Sequence, residues 1–261
     1  MEVSVIMSEY NTEYEVLEES IKSILNQTYQ DFEFIIVNDG SESSLHHIVN
    51  KLKDDRIIIL ENTKNLGLPQ SLNKAINYSS GKYLVRMDTD DIAHPKRIEK
   101  QLSFIKTNRM YSVVGTSYNL LTENGKKYAK VYSGEIDKEQ FLRRRLPAHP
   151  SVIMKKKDII DVGKYETNKV RRSEDLVLWA KLLLSNKRIY VMEDILLDYR
   201  VNIGDYGKRT FSTRKDEVYN RIKYYKKLKA SPYHYFLILK SILASVMPWK
   251  FMAYYHRKIQ K

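Results

Sequence analysis

The chain has 261 residues, 43% of them hydrophobic, with 20 Tyr and no Cys. That is enough for one domain of ordinary size, or one domain with an appendage, around a substantial core, so a disordered chain is excluded; disulfides and thiolate metal sites are excluded as well, and a reducing compartment is expected. The net charge of +13 is unevenly placed, because residues 207–261 hold 14 Lys or Arg against only Asp216 and Glu217, which points to an anionic partner for the tail rather than for the nearly neutral body.

Val3 to Met7 reads as a first buried strand, and it ends in Ser8, Glu9, Tyr10 and Asn11. The run is too short for a secretory signal, so a cytosolic chain is expected. Val16, Leu17, Ile21, Ile24 and Leu25 recur at helical spacing, and Phe32 to Val37 is a second strand running into Asn38, Asp39, Gly40 and Ser41. Ile48, Val49 and Leu52 mark a second helix and Ile57 to Leu60 a third strand. Asn65, Leu66 and Gly67 form a loop; Leu72, Ala75 and Ile76 make a third helix; Lys82 to Met87 is a fourth strand. Near-continuous apolar strands alternating with amphipathic helices predict an α/β fold with a mostly parallel central sheet and helices on both faces. Its ligand crevice is expected beyond the carboxyl ends of the strands.

The fourth strand runs into Asp88, Thr89, Asp90 and Asp91, and Pro95 is expected to open a helix carrying Ile98, Leu102 and Ile105. Three carboxylates at the end of a buried strand raise one another's pKa unless a cation neutralises them, and hard oxygen ligands suit Mg²⁺ or Mn²⁺. The alternative is that Asp90 and Asp91 cap the helix that follows. The chain has neither G-x-G-x-x-G after the first strand nor G-x-x-x-x-G-K-[ST] anywhere, so a phosphate ligand would depend on a metal instead of a glycine cradle.

In the second half, Ser112 to Ser117 reads as a small-residue strand, Thr122 to Gly125 as a turn and Lys138 to Arg145 as a basic helix. Pro147 and Pro150 flank His149 ahead of a strand at Ser151 to Met154, and the two prolines predict an extended backbone that presents the imidazole. Ser173, Glu174 and Asp175 open a helix whose apolar positions are Leu176, Trp179, Leu182 and Leu183. Acids there complement the helix dipole, or form a second acidic site on a rigid element. Ile189 to Val191 and Ile195 to Arg200 read as two short strands. In the tail, Arg221 to Lys229 is dense in Lys and Tyr, and Tyr233 to Tyr255 is apolar but broken by Lys240, Pro248 and Lys250. Those breaks argue against a spanning helix and for an interfacial anchor on an anionic membrane surface, or for a basic helical hairpin packed on the body.

The segments VSVIMSEYN, IKSILNQTYQDFEFIIVNDGS, NLGLPQSLNKAI, YLVRMDTDDIAHPKRIEKQL, VVGTSYN, HPSVIMKK, VGKYE and SEDLVLWAKLL occur in this order. Together they resemble family 2 glycosyltransferases, nucleotide-sugar-dependent enzymes of the Rossmann-like GT-A fold, and among them the amylovoran and exopolysaccharide group. The resemblance covers residues 1–205. It implies a GT-A catalytic domain there, with a nucleotide-binding half at 1–110 and an acceptor half at 111–205, followed by a basic, aromatic helical tail at 206–261.

By this resemblance Ser8, Tyr10, Asn11, Asn65 and Asp88 line the nucleotide site, with Asp88 toward the ribose, and Asp39 bonds the uracil of a UDP-sugar. Asp90 and Asp91 hold Mn²⁺ or Mg²⁺ on the diphosphate. Glu174 and Asp175 match the catalytic acidic pair, with Asp175 as general base in an inverting transfer. His149, Trp179 and Arg200 are candidate donor-sugar or acceptor contacts. The implied donor is UDP-galactose or an N-acetylhexosamine relative, and the implied acceptor is a glycan or lipid-linked glycan at the inner face of the cell membrane. Two residues depart from the family pattern. Glu9 adds negative charge beside the diphosphate site, and Asn202 stands where many relatives carry a His. A nucleotidyltransferase would also use a metal and a nucleotide but release pyrophosphate. A nucleic-acid-binding protein would suit the charge, yet no nucleic-acid module is present, and none is expected as a partner.

Overall fold

The computed structural model describes residues 1–42, 44–170, 173–201 and 211–246. Strands β1 (Val3–Glu9), β2 (Phe32–Asn38), β3 (Ile57–Glu61) and β4 (Tyr83–Arg86) alternate with helices α1 (Tyr14–Leu25), α2 (Leu45–Leu52) and α3 (Leu68–Tyr78), as the apolar periodicity predicts. After β4 come the two-residue strand β5 (Ile92–Ala93), α4 (Arg97–Thr107), β6 (Tyr111–Thr122), β7 (Lys127–Lys130), β8 (Gly134–Ile136) and α5 (Lys138–Leu142). A 3-10 turn at His149–Ser151, β9 (Ile153–Lys155), α6 (Lys156–Asp161), α7 (Glu174–Leu184) and β10 (Arg188–Val201) complete the body. Helices α8 (Phe211–Lys227) and α9 (Pro232–Val246) follow.

The sheet order is β3-β2-β1-β4-β9-β6-β10-β5, with β7 on β6 and β8 on β10. β3, β2, β1 and β4 pair in parallel, as do β6 and β10, which gives the expected mostly parallel centre. β9 enters antiparallel between β4 and β6 and joins the two halves into one sheet. Alternation along β1 explains how both faces are covered. Val3, Val5 and Met7 pack under α1, α2 and α4, whereas Ile6 packs with α3 and α7 on the other face. Each fully buried aliphatic or aromatic side chain contributes on the order of 2 kcal/mol to holding these layers.

Several expectations need correction. The helix after the acidic loop begins at Arg97, not Pro95, because Ile92 and Ala93 first pair antiparallel with β10. The strand expected at 112–117 runs from Tyr111 to Thr122, and the two short strands at 189–191 and 195–200 are one strand whose register shifts at 192–198 imitate a break. The turn expected at Thr122–Gly125 is present, with the Gly125 N–H donating to the Thr122 carbonyl at 2.9 Å, and it joins β6 to β7.

Residues 202–210, Asn202 and the start of the tail among them, and residues 247–261 lie outside the described residues. Within them, α8 and α9 pack on the body. Tyr225 is fully buried and its hydroxyl donates to the Leu142 carbonyl at 2.7 Å, while Asn220 Nδ2 donates to the Lys169 carbonyl at 2.6 Å and to Ser173 Oγ at 3.0 Å. Arg144 pairs with Glu217. Among the described residues no helix is long and apolar enough to cross a membrane. Tyr233, Phe236 and Leu239 stay more than half exposed along one side of α9.

Candidate active site

The ends of β1, β2 and β4 meet at one edge of the sheet. At the end of β1, the Glu9 carboxylate is fully buried and accepts the Thr12 N–H at 3.0 Å and the Ser41 hydroxyl at 2.6 Å. Glu9 therefore ties the β1 and β2 loops together. Asn11 adopts a left-handed conformation (φ 51°), Tyr10 is half exposed, and Ser8 is partly covered.

Asp39 is buried at the end of β2 and staples the next loop. Its Oδ1 accepts from Asn62 Nδ2 at 2.8 Å and from the Leu66 N–H at 2.9 Å, and its Oδ2 accepts the Gly67 N–H at 2.8 Å. Gly40 beside it has φ +76°, and a Cβ there would lie 2.3 Å from the Lys64 carbonyl carbon, so only glycine lets these two loops touch. Asn65 itself is exposed on this loop.

The loop after β4 gathers Asp88, Asp90 and Asp91, each offering an oxygen, with these atoms all within 4.8 Å of one another. The loop is held from outside. Ser20 Oγ donates to the Asp88 carbonyl at 2.8 Å, and Thr12 and Thr89 hydroxyls meet at 2.9 Å. The Arg200 backbone N–H donates to Asp91 Oδ1 and Arg200 Nε to the Asp90 carbonyl, both at 2.8 Å, while Arg200 Nη2 reaches Glu19. Arg200 thus secures the acidic loop. Burial, then Asp88, pushes the Asp90 carboxyl up to about 6, and burial together with Asp88 and Asp90 raises Asp91 well above the carboxylate range. Asp91 Oδ2 is buried without a hydrogen-bond partner. An orphan carboxylate oxygen amid three clustered carboxylates is a donor set that fits a hard divalent cation. Helix capping does not account for it, because α4 starts at Arg97 and receives no side-chain cap.

A cavity of about 840 Å³ opens beside this loop. It brings together Arg86 and Asp88 from the β4 end, His149 from the 3-10 turn, and Glu174 and Asp175 from the start of α7. Its outer wall includes Arg143 and Arg144 after α5 and Glu217, Val218 and Leu237 from α8 and α9, so the tail helices shape the same cavity. Burial, then Asp175, pushes Glu174 up to about 7. Burial raises Asp175 as well, although its Oδ1 accepts the Leu176 N–H at 2.6 Å. Ser173 precedes the pair without capping the helix; its hydroxyl is taken by Asn220 of α8.

Two expectations change here. His149 is not presented outward. It is buried, bonds the Tyr165 hydroxyl through Nε2 at 2.7 Å, and is kept neutral by burial and by Arg86, although its ring still borders the cavity. Pro150 lies within the 3-10 turn at His149–Ser151, whereas Ala148 before it is extended. Trp179 is fully buried, packs edge-on against His149 at 6.2 Å, and does not line the cavity, so it is a core support for His149 and not a sugar contact.

Sequence reasoning missed Arg86. It is fully buried, pairs through Nη2 with Asp88, and leaves Nε and Nη1 without a partner. The signal was a cation inside the apolar run YLVRM, since an arginine in a buried strand is rare unless it is paired or used. Asn220, which clamps the start of α7, had no local signal.

The Glycosyl transferase family 2 profile matches residues 4–163. The chain belongs to glycosyl transferase family 2. The putative glycosyltransferase EpsE of Bacillus subtilis is 31% identical over 261 residues, covering 98% of this chain and 93% of that protein. The amylovoran biosynthesis glycosyltransferase AmsE of Erwinia amylovora is 31% identical over 211 residues, 79% of each chain, which bears out the group the sequence resembled. In structure, this glycosyltransferase is similar to S. aureus TarS 1-349 in complex with UDP-GlcNAc, with a TM-score of 0.71 at 19% identity, covering 93% of this chain and 72% of that one. At that identity the likeness supports the GT-A fold and no more. Of the longer TarS chain it spans 43%.

Proposed function

We propose that this glycosyltransferase is metal-dependent and inverting, and that it moves galactose or an N-acetylhexosamine from a UDP-sugar to a hydroxyl of a growing glycan in exopolysaccharide or lipopolysaccharide synthesis. The observation that carries the reading is the cavity lined both by Asp88, at the edge of the three-carboxylate loop, and by the half-buried Glu174–Asp175 pair. Relatives named for amylovoran and O-antigen biosynthesis, and a structural neighbour holding UDP-GlcNAc, support it.

In this reading Asp39 accepts the uracil N3–H with the remaining capacity of Oδ2, its other contacts having fixed the carboxylate in place. Tyr10, Asn11, Ser8 and Asn65 surround the base, and Asp88 faces the ribose. Asp90 and Asp91 hold the cation, which supplies charge neutralisation to the departing diphosphate. Asp175 removes the proton from the acceptor hydroxyl through its free oxygen, and burial strengthens it as a base. The acceptor oxygen attacks the anomeric carbon from the face opposite UDP, so configuration inverts. The acceptor enters past Arg144 and α8, and a lipid-linked glycan at the inner membrane face suits the basic tail and the exposed Tyr233, Phe236 and Leu239.

The test is release of UDP from a panel of UDP-hexoses by wild type and by Asp175→Asn. Proton NMR of the product checks that an α-linked donor gives a β-glycoside. A fall of about 100-fold or more in the variant is expected; pyrophosphate release, or a retained anomeric configuration, would contradict the reading.

A further inference from the structure

Arg86 is the last residue of β4, and the alternation of that strand turns it to the face of Leu84 and Ile6, toward α7. Its backbone N–H donates to the Val152 carbonyl at 3.1 Å, which fixes it between β4 and the turn carrying His149. The side chain is 2% exposed, yet it lines the cavity. Around it stand Asp88, Asp91, Glu174, Asp175, Tyr165 and the neutral His149, with Arg97 behind the loop. Nη2 of the guanidinium is held by Asp88, and two buried donor atoms, Nε and Nη1, have no protein acceptor. Leaving such donors unmet is costly, so they mark where a ligand oxygen belongs.

We propose that Arg86 is a binding residue for the transferred sugar: an N–H on its Nε or Nη1 donates to a ring hydroxyl oxygen of the donor sugar, while its Nη2 holds Asp88 toward the ribose. The inference rests on the reading of the site as a nucleotide-sugar site. The placement fits, because Arg86 stands between the acidic loop at the nucleotide side and the Glu174–Asp175 pair at the acceptor side, and what lies between a nucleotide and an acceptor base is the group in transit. A planar guanidinium whose Nη2 is already held presents its remaining N–H groups in fixed, diverging directions, which makes it sensitive to where the sugar places its hydroxyls.

The experiment is calorimetric titration of UDP, UDP-glucose, UDP-galactose and their N-acetyl forms, each with Mn²⁺, into wild type, Arg86→Lys and Arg86→Gln, with a thermal melt of each variant. The result expected is that UDP affinity stays within about threefold while affinity for the preferred UDP-sugar falls by about tenfold or more. Equal losses for UDP and UDP-sugar, or no loss for either, would overturn the assignment. If neither variant folds, singly deoxygenated UDP-sugars on wild type decide: removal of at least one ring hydroxyl costs about tenfold if the assignment holds, and no dependence on any ring hydroxyl overturns it. Failure of wild type to bind any uridine nucleotide would instead overturn the nucleotide-sugar reading itself.

Discussion

The backbone N–H of Arg200 lies 2.8 Å from Asp91 Oδ1, and its Nε lies 2.8 Å from the Asp90 carbonyl, so the end of β10 grips the acidic loop that follows β4. The grip joins the two halves of the sheet at the point where the carboxylates cluster. Because the amide bond survives side-chain truncation, Arg200→Ala separates holding the loop from folding the strand. We expect it to cost about 1 kcal/mol of stability, as loss of one hydrogen bond and one exposed ion pair does. We also expect UDP-sugar turnover to fall about tenfold or more, since small displacements at a site have large kinetic effects. Urea denaturation and a UDP-release assay measure the two separately.

Glu174 gives the chain a pH signature. Its carboxyl is pushed up to about 7 by burial and by Asp175, so between the unfolded value near 4.3 and about 7 the native state holds more protons than the unfolded state. Stability from this group is therefore present at low pH and is lost as pH rises through that window. Asp90, raised to about 6, acts in the same direction lower in the range. Glu174→Gln, which cannot ionise, should flatten the decline between pH 5 and 7.5 in urea titrations. An unchanged slope would mean that Glu174 is not held in a desolvated environment.

The tail is part of the site's wall, and its packing is measurable. Tyr225→Phe should cost about 1–2 kcal/mol by leaving the buried Leu142 carbonyl without its donor, and Tyr225→Ala about 3–5 kcal/mol through the cavity it opens. Asn220→Ala should lower turnover with a smaller stability loss, because it frees Ser173 immediately before the Glu174–Asp175 pair. Denaturation midpoints alongside kcat would separate these outcomes.

Much of this architecture was legible because the first four strands are near-continuous apolar runs and the intervening helices carry clean periodicity. The acidic loop was legible too, since three carboxylates after a buried strand need a reason. What the sequence hid was set by pairing. Ile92–Ala93 is too short to have a period, and β10 looked like two strands because its bulges fall at Glu193 and Asp194. His149 was misread because prolines fix φ without saying whether the chain extends or turns, and Trp179, on a helix face, gave no sign of which side the cavity lay. The part Glu9 plays in tying two loops together was hidden as well, because its partners, Thr12 and Ser41, are invisible without the fold.

The β2 loop offers a sharper test of positioning. Asp39→Ala removes the acceptors for the Leu66 and Gly67 N–H groups and for Asn62, and Gly40→Ala drives a Cβ into the Lys64 backbone at a positive φ. Each should cost about 2 kcal/mol or more and abolish detectable uridine-nucleotide binding, whereas Asn65→Ala, on the exposed tip, should weaken binding with little loss of stability. Melting curves with and without UDP read both effects.

The most direct measurement is a thermal-shift comparison of wild type and Asp90→Ala with UDP, GDP and CMP, in the presence and absence of Mn²⁺. A ligand at 100 times its Kd adds about 2.7 kcal/mol to native stability, which is well above detection. The account predicts stabilisation by UDP that requires Mn²⁺ and disappears in Asp90→Ala. Stabilisation that is indifferent to Mn²⁺ or to Asp90, or no response to any nucleotide, would contradict it.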